Sequence, residues 1–205
     1  MKKIFALLAA ASTLVLTGCG NLNTAASLGD ITISQTELQA SVDQILLERS
    51  KVDSSQMQLQ TGADLNQTEL RFKIITTIFN EIAKELKISI TNAELKAMRD
   101  DLISQIGGVD QLATNLVSAQ IPSTEFESYI RAVLTSNKLS EALVASGVAE
   151  ADVDAKLSQL IIAKSKQMKV KVNPRYGIWN SEDTSLTMID SAGDAIAPAQ
   201  SANAG

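Results

Sequence analysis

Phe72, Ile75, Ile78, Phe79, Ile82 and Leu86 recur at helical spacing and form a continuous apolar stripe, the strongest helix signal in the chain. A repeat near 3.6 residues puts them on one face of a helix, and no strand keeps that period. A stripe of this length needs partners along its whole face, so it predicts a central helix in a mainly α fold with other helices packed around it. The opposite face carries Arg71, Lys73, Glu81, Lys84 and Glu85 and reads as solvated, with Glu69 and Lys73 four apart as a supporting ion pair.

Shorter periodic runs supply the partners. Ser34 and Glu37 have the spacing of a capping box, in which a hydroxyl accepts from a backbone N–H and a carboxylate reaches back, and Leu38, Val42, Ile45 and Leu46 follow on one face. Lys51–Asp64 loses the period and reads as a long loop, with the helical pattern restarting at Asn66 and Glu69. Thr91 and Glu94 open a further helix bearing Leu95, Met98, Leu102 and Ile106. Gly107–Gly108 follows that helix and belongs to no GxGxxG or Gly-Lys-Ser/Thr motif, so it reads as a C-terminal cap rather than a phosphate loop. Asp110–Ala119 is a short helix with Leu112 and Leu116 inward. Thr124 and Glu127 are spaced to cap the next, which holds Phe126, Ile130, Val133, Leu134, Leu139 and Leu143 before Gly147. A last helix over 149–168 carries Val153, Leu157, Leu160, Ile161 and Met168. Ile31 with Ile33, and Val170 with Val172, alternate with polar residues and read as two short strands, one from each end of the domain, that pair with each other.

Ahead of this body, Lys2 and Lys3 introduce an apolar run from Ile4 to about Thr17, an export signal too short to span a bilayer as a permanent helix. Cys19 is the single cysteine. Leu16-Thr17-Gly18-Cys19 resembles the lipobox of bacterial lipoproteins, which implies that the Cys19 sulfur carries a diacylglyceryl group and that residues 1–18 are removed. The competing reading is cleavage further on, near Ala25-Ala26. On the lipid reading, residues 19–27, small and polar, are a flexible tether, and the protein sits on the extracytoplasmic face of a cell membrane. The formal charge of −5 becomes about −7 without Lys2 and Lys3, which argues against a nucleic-acid partner. The chain has no histidine. Ser-His-Asp and Cys-His nucleophile systems and the common catalytic zinc sites need imidazole or thiolate groups, so no catalytic residue, metal or cofactor is expected. Asp100-Asp101, and Asp152 with Asp154, do not face each other on a helix and make poor acid–base pairs.

Leu28-Gly29-Asp30-Ile31-Thr32-Ile33-Ser34, the run from Ile88 to Leu95, Gly107-Gly108 and the run from Val170 to Trp179 occur in that order between the expected helices. The series resembles the N-terminal domain of SurA-like periplasmic chaperones, in the form carried by exported actinobacterial lipoproteins. The resemblance implies a helical domain over 28–180 that shelters unfolded, newly exported chains, often beside parvulin prolyl-isomerase domains. This chain departs from that pattern, with no stretch for a parvulin module between the last helix and the tail, and none of the histidines such modules use. From Ser181 to Gly205 the composition turns to Ser, Asp, Ala, Gly and Pro, and a low-complexity, disordered tail is expected.

The expected function is that of a chaperone-like lipoprotein that binds unfolded or newly secreted proteins without catalysis. A peptidyl-prolyl isomerase-related foldase and an adaptor lipoprotein with one folded partner are the alternatives. Candidate peptide-binding residues are Met57 and Leu59 in the loop and Phe126, Tyr129 and Trp179. Met98, Met168, Phe72 and Phe79 have the right chemistry, but their helical spacing reads as core. Lys164, Lys166, Lys169, Lys171 and Arg175 form a basic end with no acidic residue among them. They either meet anionic lipid headgroups or are a solvated helix end that complements the macrodipole.

Overall fold

The computed structural model describes residues 23–188. The expected signal over 1–18, Cys19 and residues 189–205 of the expected tail lie outside the described residues.

Ser34 ends a strand and starts a helix, and its neighbours set the frame. Its hydroxyl accepts from the Glu37 N–H at 3.0 Å, completing the capping box at the head of α1, Gln35–Arg49. Just before it, β1 (Thr24–Leu28) and β2 (Ile31–Ser34) form an antiparallel hairpin, with Leu28 opposite Ile31 and Gly29 at φ +62° in the two-residue turn. The chain then runs through α2, Gly62–Glu85; α3, Asn92–Gln105; α4, Val109–Ala119; α5, Phe126–Ala145; and α6, Val153–Gln167. It returns as β3, Lys171–Val172, and closes on a hairpin of β4, Ile178–Asn180, and β5, Ser185–Thr187. The fold is mainly helical with two small antiparallel sheets.

Two expectations about the chain ends are corrected. The strands read from sequence, β2 and β3, share a sheet but do not touch, because β1 lies between them in the order β2-β1-β3. Ala26 opposes both Ile33 and Val172. The segment read as tether thus contributes the central strand, with Ala25 and Ala26 fully buried and Leu28 1% exposed. A strand paired on both edges satisfies its backbone without bulky side chains, and Ala-Ala fits where helices press close. Asn173 fastens the join: its N–H donates to Ala25 O at 2.8 Å, its Nδ2 donates to Thr24 O at 3.1 Å, and its Oδ1 accepts from the Arg175 N–H at 3.2 Å.

The domain also runs past Trp179, where the tail was expected to begin at Ser181. Arg71 Nε donates to Thr184 O at 3.1 Å, and Gln67 Nε2 donates to Tyr176 O at 2.9 Å, binding the β4–β5 hairpin to α2. Gly177, at φ +118°, sits so close that a Cβ there would lie 2.3 Å from Thr187 O and 2.7 Å from Gln67 Nε2.

Helix α2 starts at Gly62, inside the stretch read as loop, and Asn66 Nδ2 donates to Gly62 O at 2.7 Å instead of opening the helix. Its fully buried row is Leu70, Ile74 and Ile78, four apart, while Leu86 at 55% and Leu46 of α1 at 47% exposed stand outside the core. The Gly107–Gly108 cap is present: Gly108 N–H reaches Ile103 O at 2.8 Å and Gly107 N–H reaches Ser104 O at 3.1 Å. The Thr124–Glu127 cap is absent. A 3-10 turn, Ser123–Glu125, precedes α5, and Glu48 from α1 takes the Ser123 N–H at 3.1 Å, while Glu127 turns to Arg131 at 2.8 Å. A carboxylate from a neighbouring helix meets the free N–H groups as a local cap would.

Apolar residues gather in two cores. The larger joins α1, α2 and the β1 sheet with Leu139 and Met168; the smaller holds Leu95, Leu116, Phe126, Ile130 and Leu134 from α3, α4 and α5.

Because β1 is central, a chain beginning at Leu28 is expected to lose cooperative thermal unfolding, whereas one spanning 23–188 keeps it; circular dichroism melts of the two fragments check this. Gly177→Ala combines a disfavoured φ with a backbone clash and is expected to destabilise by about 2 kcal/mol or more in urea unfolding.

Candidate functional site

Helix α4 is eleven residues long and held by α1 on one side and α3 on the other, and the packing leaves an apolar groove along each flank. The first, about 170 Å³, lies between α3, α4 and α5 and is lined by Leu102, Ile106, Leu112, Ile121, Phe126 and Tyr129 among others. The second, about 270 Å³, lies between α1 and α4, where Val52, Ala113 and Leu116 form the floor and Gln44, Glu48, Lys51 and Ser123 the polar rim. Leu116 faces both grooves. Short helices with one strongly apolar face bury it only as far as their neighbours reach, and here the neighbours leave two shallow apolar channels.

Of the residues singled out from sequence, Tyr129 is half-buried, lines the first groove and stacks on Phe126 with ring centroids 6.5 Å apart. Phe126 is 6% exposed, belongs to the smaller core and lines the same groove. Met57 and Leu59 are half-buried in the α1–α2 connection, which offers Val52 to the second groove instead. Trp179 lies away from both grooves, where its Nε1 donates to Ser165 Oγ at 2.9 Å and its ring packs on the larger core. Met98 flanks the smaller core, Phe79 and Met168 are in the larger, and Phe72 is half-buried.

The basic end is divided by the fold. Lys164 pairs with Glu85 of α2 at 2.6 Å and Lys166 with Glu182 at 2.7 Å, so acidic partners distant in sequence neutralise two of its five cations. Lys169 and Lys171 are exposed, and Arg175 donates to Gln35 Oε1 at 2.9 Å with its guanidinium 5.5 Å from the Tyr176 ring centroid. Cys19 lies outside the described residues.

A buried charged seam absent from the sequence reading joins α1, α2 and the turn before α5. Lys73, read as solvated, is 7% exposed and bonds Glu125, while Glu69, read as its partner, is 1% exposed. Ser41 Oγ adds a bond to Glu125 at 3.1 Å. Arg49 Nη1 donates to Gln60 O and Nη2 to Gln120 Oε1, both at 2.7 Å, and Gln60 N–H meets the same Gln120 oxygen at 2.9 Å. These bonds hold Gln120 at φ +57° where α4 ends, linking α1, the loop and α4. Glu69 Oε2 and Arg49 Nε are buried without a hydrogen-bond partner. The signal that marks this seam is positional: Leu65, Glu69, Lys73 and Thr76 are spaced four, four and three apart on one face of α2.

Burial raises the Glu69 carboxyl from 4.5 to about 7; Lys73 and Arg49 oppose the shift and Glu125 reinforces it. Among the described residues no group of three or more metal-ligating side chains occurs, and no helix is long and apolar enough to cross a membrane. Comparison with protein-family models, with curated proteins and with solved structures finds no match for this chain.

Between pH 4.5 and about 7 the folded protein keeps a proton on Glu69 that the unfolded chain has released. This contribution to stability is complete below pH 4.5 and declines as pH rises toward 7, by roughly 3 kcal/mol in all. Glu69→Gln is expected to flatten that decline and to exceed the wild type in stability at pH 8, as read from urea unfolding at pH 5 and pH 8.

Proposed function

We propose that this chain is a membrane-anchored, extracytoplasmic chaperone-like lipoprotein that binds unfolded or newly exported polypeptides without catalysis, using the grooves beside α4. The observation that carries the reading is the pair of shallow apolar channels meeting at Leu116, rimmed by polar side chains. A holdase must accept many sequences and release them. Filling such a groove with one or two apolar side chains yields about 1.5–3 kcal/mol each. Ordering the rest of an unfolded segment offsets part of that gain, which leaves weak binding that exchanges readily. The expected diacylglyceryl group on Cys19 keeps this activity at the membrane, since two acyl chains anchor where one holds only marginally.

The mature chain, residues 19–205 with Cys19→Ser, is expected to suppress light scattering by a chemically denatured protein as that protein is diluted into buffer. Ile106→Ser with Leu112→Ser should lower the suppression several-fold while the circular dichroism spectrum is unchanged, and the slow phase of a proline-limited refolding reaction should stay at its uncatalysed rate. No suppression at several-fold excess over the client sinks the reading, and an accelerated slow phase favours a foldase instead. Mass analysis of the native N-terminus is expected to show a diacylglyceryl-modified Cys19.

A further inference from the structure

The groove between α3, α4 and α5 carries a charge at its edge. The Arg99 guanidinium lies 5.7 Å from the centroid of the Phe126 ring, one of the groove's walls, and Arg99 also lines an adjoining cleft between α3 and α5. Arg99 is exposed, and among the described residues it makes no ion pair. Four carboxylates of α3 and α5 are already occupied: Asp100 by Lys96, Glu127 by Arg131 at 2.8 Å, Glu94 by Lys138 at 2.5 Å, and Asp101 by the Gln105 amide at 2.8 Å. A contact of the guanidinium carbon with the Phe126 ring consumes none of the Arg99 N–H donors, which stay available. The planar fork of a guanidinium matches two carboxylate oxygens.

We propose that this groove selects client segments in which an apolar anchor is followed by an acidic residue, the anchor seated against Leu102, Leu112 and Tyr129 and the carboxylate on Arg99. The inference rests on the holdase reading above and names the chemistry of its client. The protein's overall negative charge does not oppose it at this range, because at physiological salt the screening length is about 8 Å and the contact with Arg99 is direct. The neighbouring cation, Lys96, already has Asp100.

The test uses the mature chain, residues 19–205 with Cys19→Ser, and three fluorescein-labelled decapeptides that share a Leu-Phe-Leu centre followed by Glu, Gln or Lys. Fluorescence anisotropy is expected to show the Glu peptide binding about three- to ten-fold more tightly than the other two. In Arg99→Gln the three affinities should converge. Equal binding of all three peptides to the wild type, or a Glu preference that persists in Arg99→Gln, overturns this proposal and leaves the holdase reading in place. Failure of all three to bind overturns both.

Discussion

Two charges of α2, Glu69 and Lys73, are buried where neighbours cover the helix, while Arg71, Lys84 and Glu85 keep to its solvated side. The larger core takes Leu70, Ile74 and Ile78, the β4–β5 hairpin lies along Gln67 and Arg71, and α1 with the turn before α5 covers Glu69 and Lys73. A lone buried ammonium is costly, so Lys73 has Glu125, and Glu125 has Ser41 as a second donor. Glu69 is left with an unpartnered oxygen and lowers its own cost by holding a proton. The charged seam therefore ties α1 and α2 to the turn that leads into Phe126 of the smaller core.

The smaller core has five buried members, too few to enclose α4, and α4 is attached as much by polar links at its C-terminal end as by packing. Arg49 and Gln120 hold the end of the helix, while Glu48 holds the start of the turn that follows it. Apolar flanks left open beside a helix pinned by hydrogen bonds make a surface that is sticky yet fixed in shape. Such a surface combines weak contacts with a constant geometry.

Much of the helical plan was legible, because caps and periods are local. Ser34 with Glu37, Thr91 with Glu94, and Gly107-Gly108 fulfil in the structure the roles that their spacing dictates. What escaped was set by partners far away in sequence. Ala25 and Ala26 read as linker because small residues carry no β signal, and only pairing with Ile33 and Val172 makes them a central strand. Lys73 read as surface because charge usually means solvent, and its partner lies 52 positions on. Lys164 read as part of a basic patch because Glu85 is remote along the chain, although it is adjacent in space. Of the groove, sequence reached Tyr129 and Phe126 but not Ile106, Leu112 or Ile121, whose apolar character does not distinguish a wall from a core.

The early start of β1 also sets a leash. Between Cys19 and Thr24 there are five residue steps, a reach of at most about 18 Å when fully stretched, close to the radius of a domain this size. With the lipid proposed at Cys19, a body moored by so short a line would have little room to roll over. On that proposal its sheet end, where Asn23, Gln35 and Arg175 border an open polar hollow, would stay toward the headgroups, and client chains would approach from the side facing away from the bilayer.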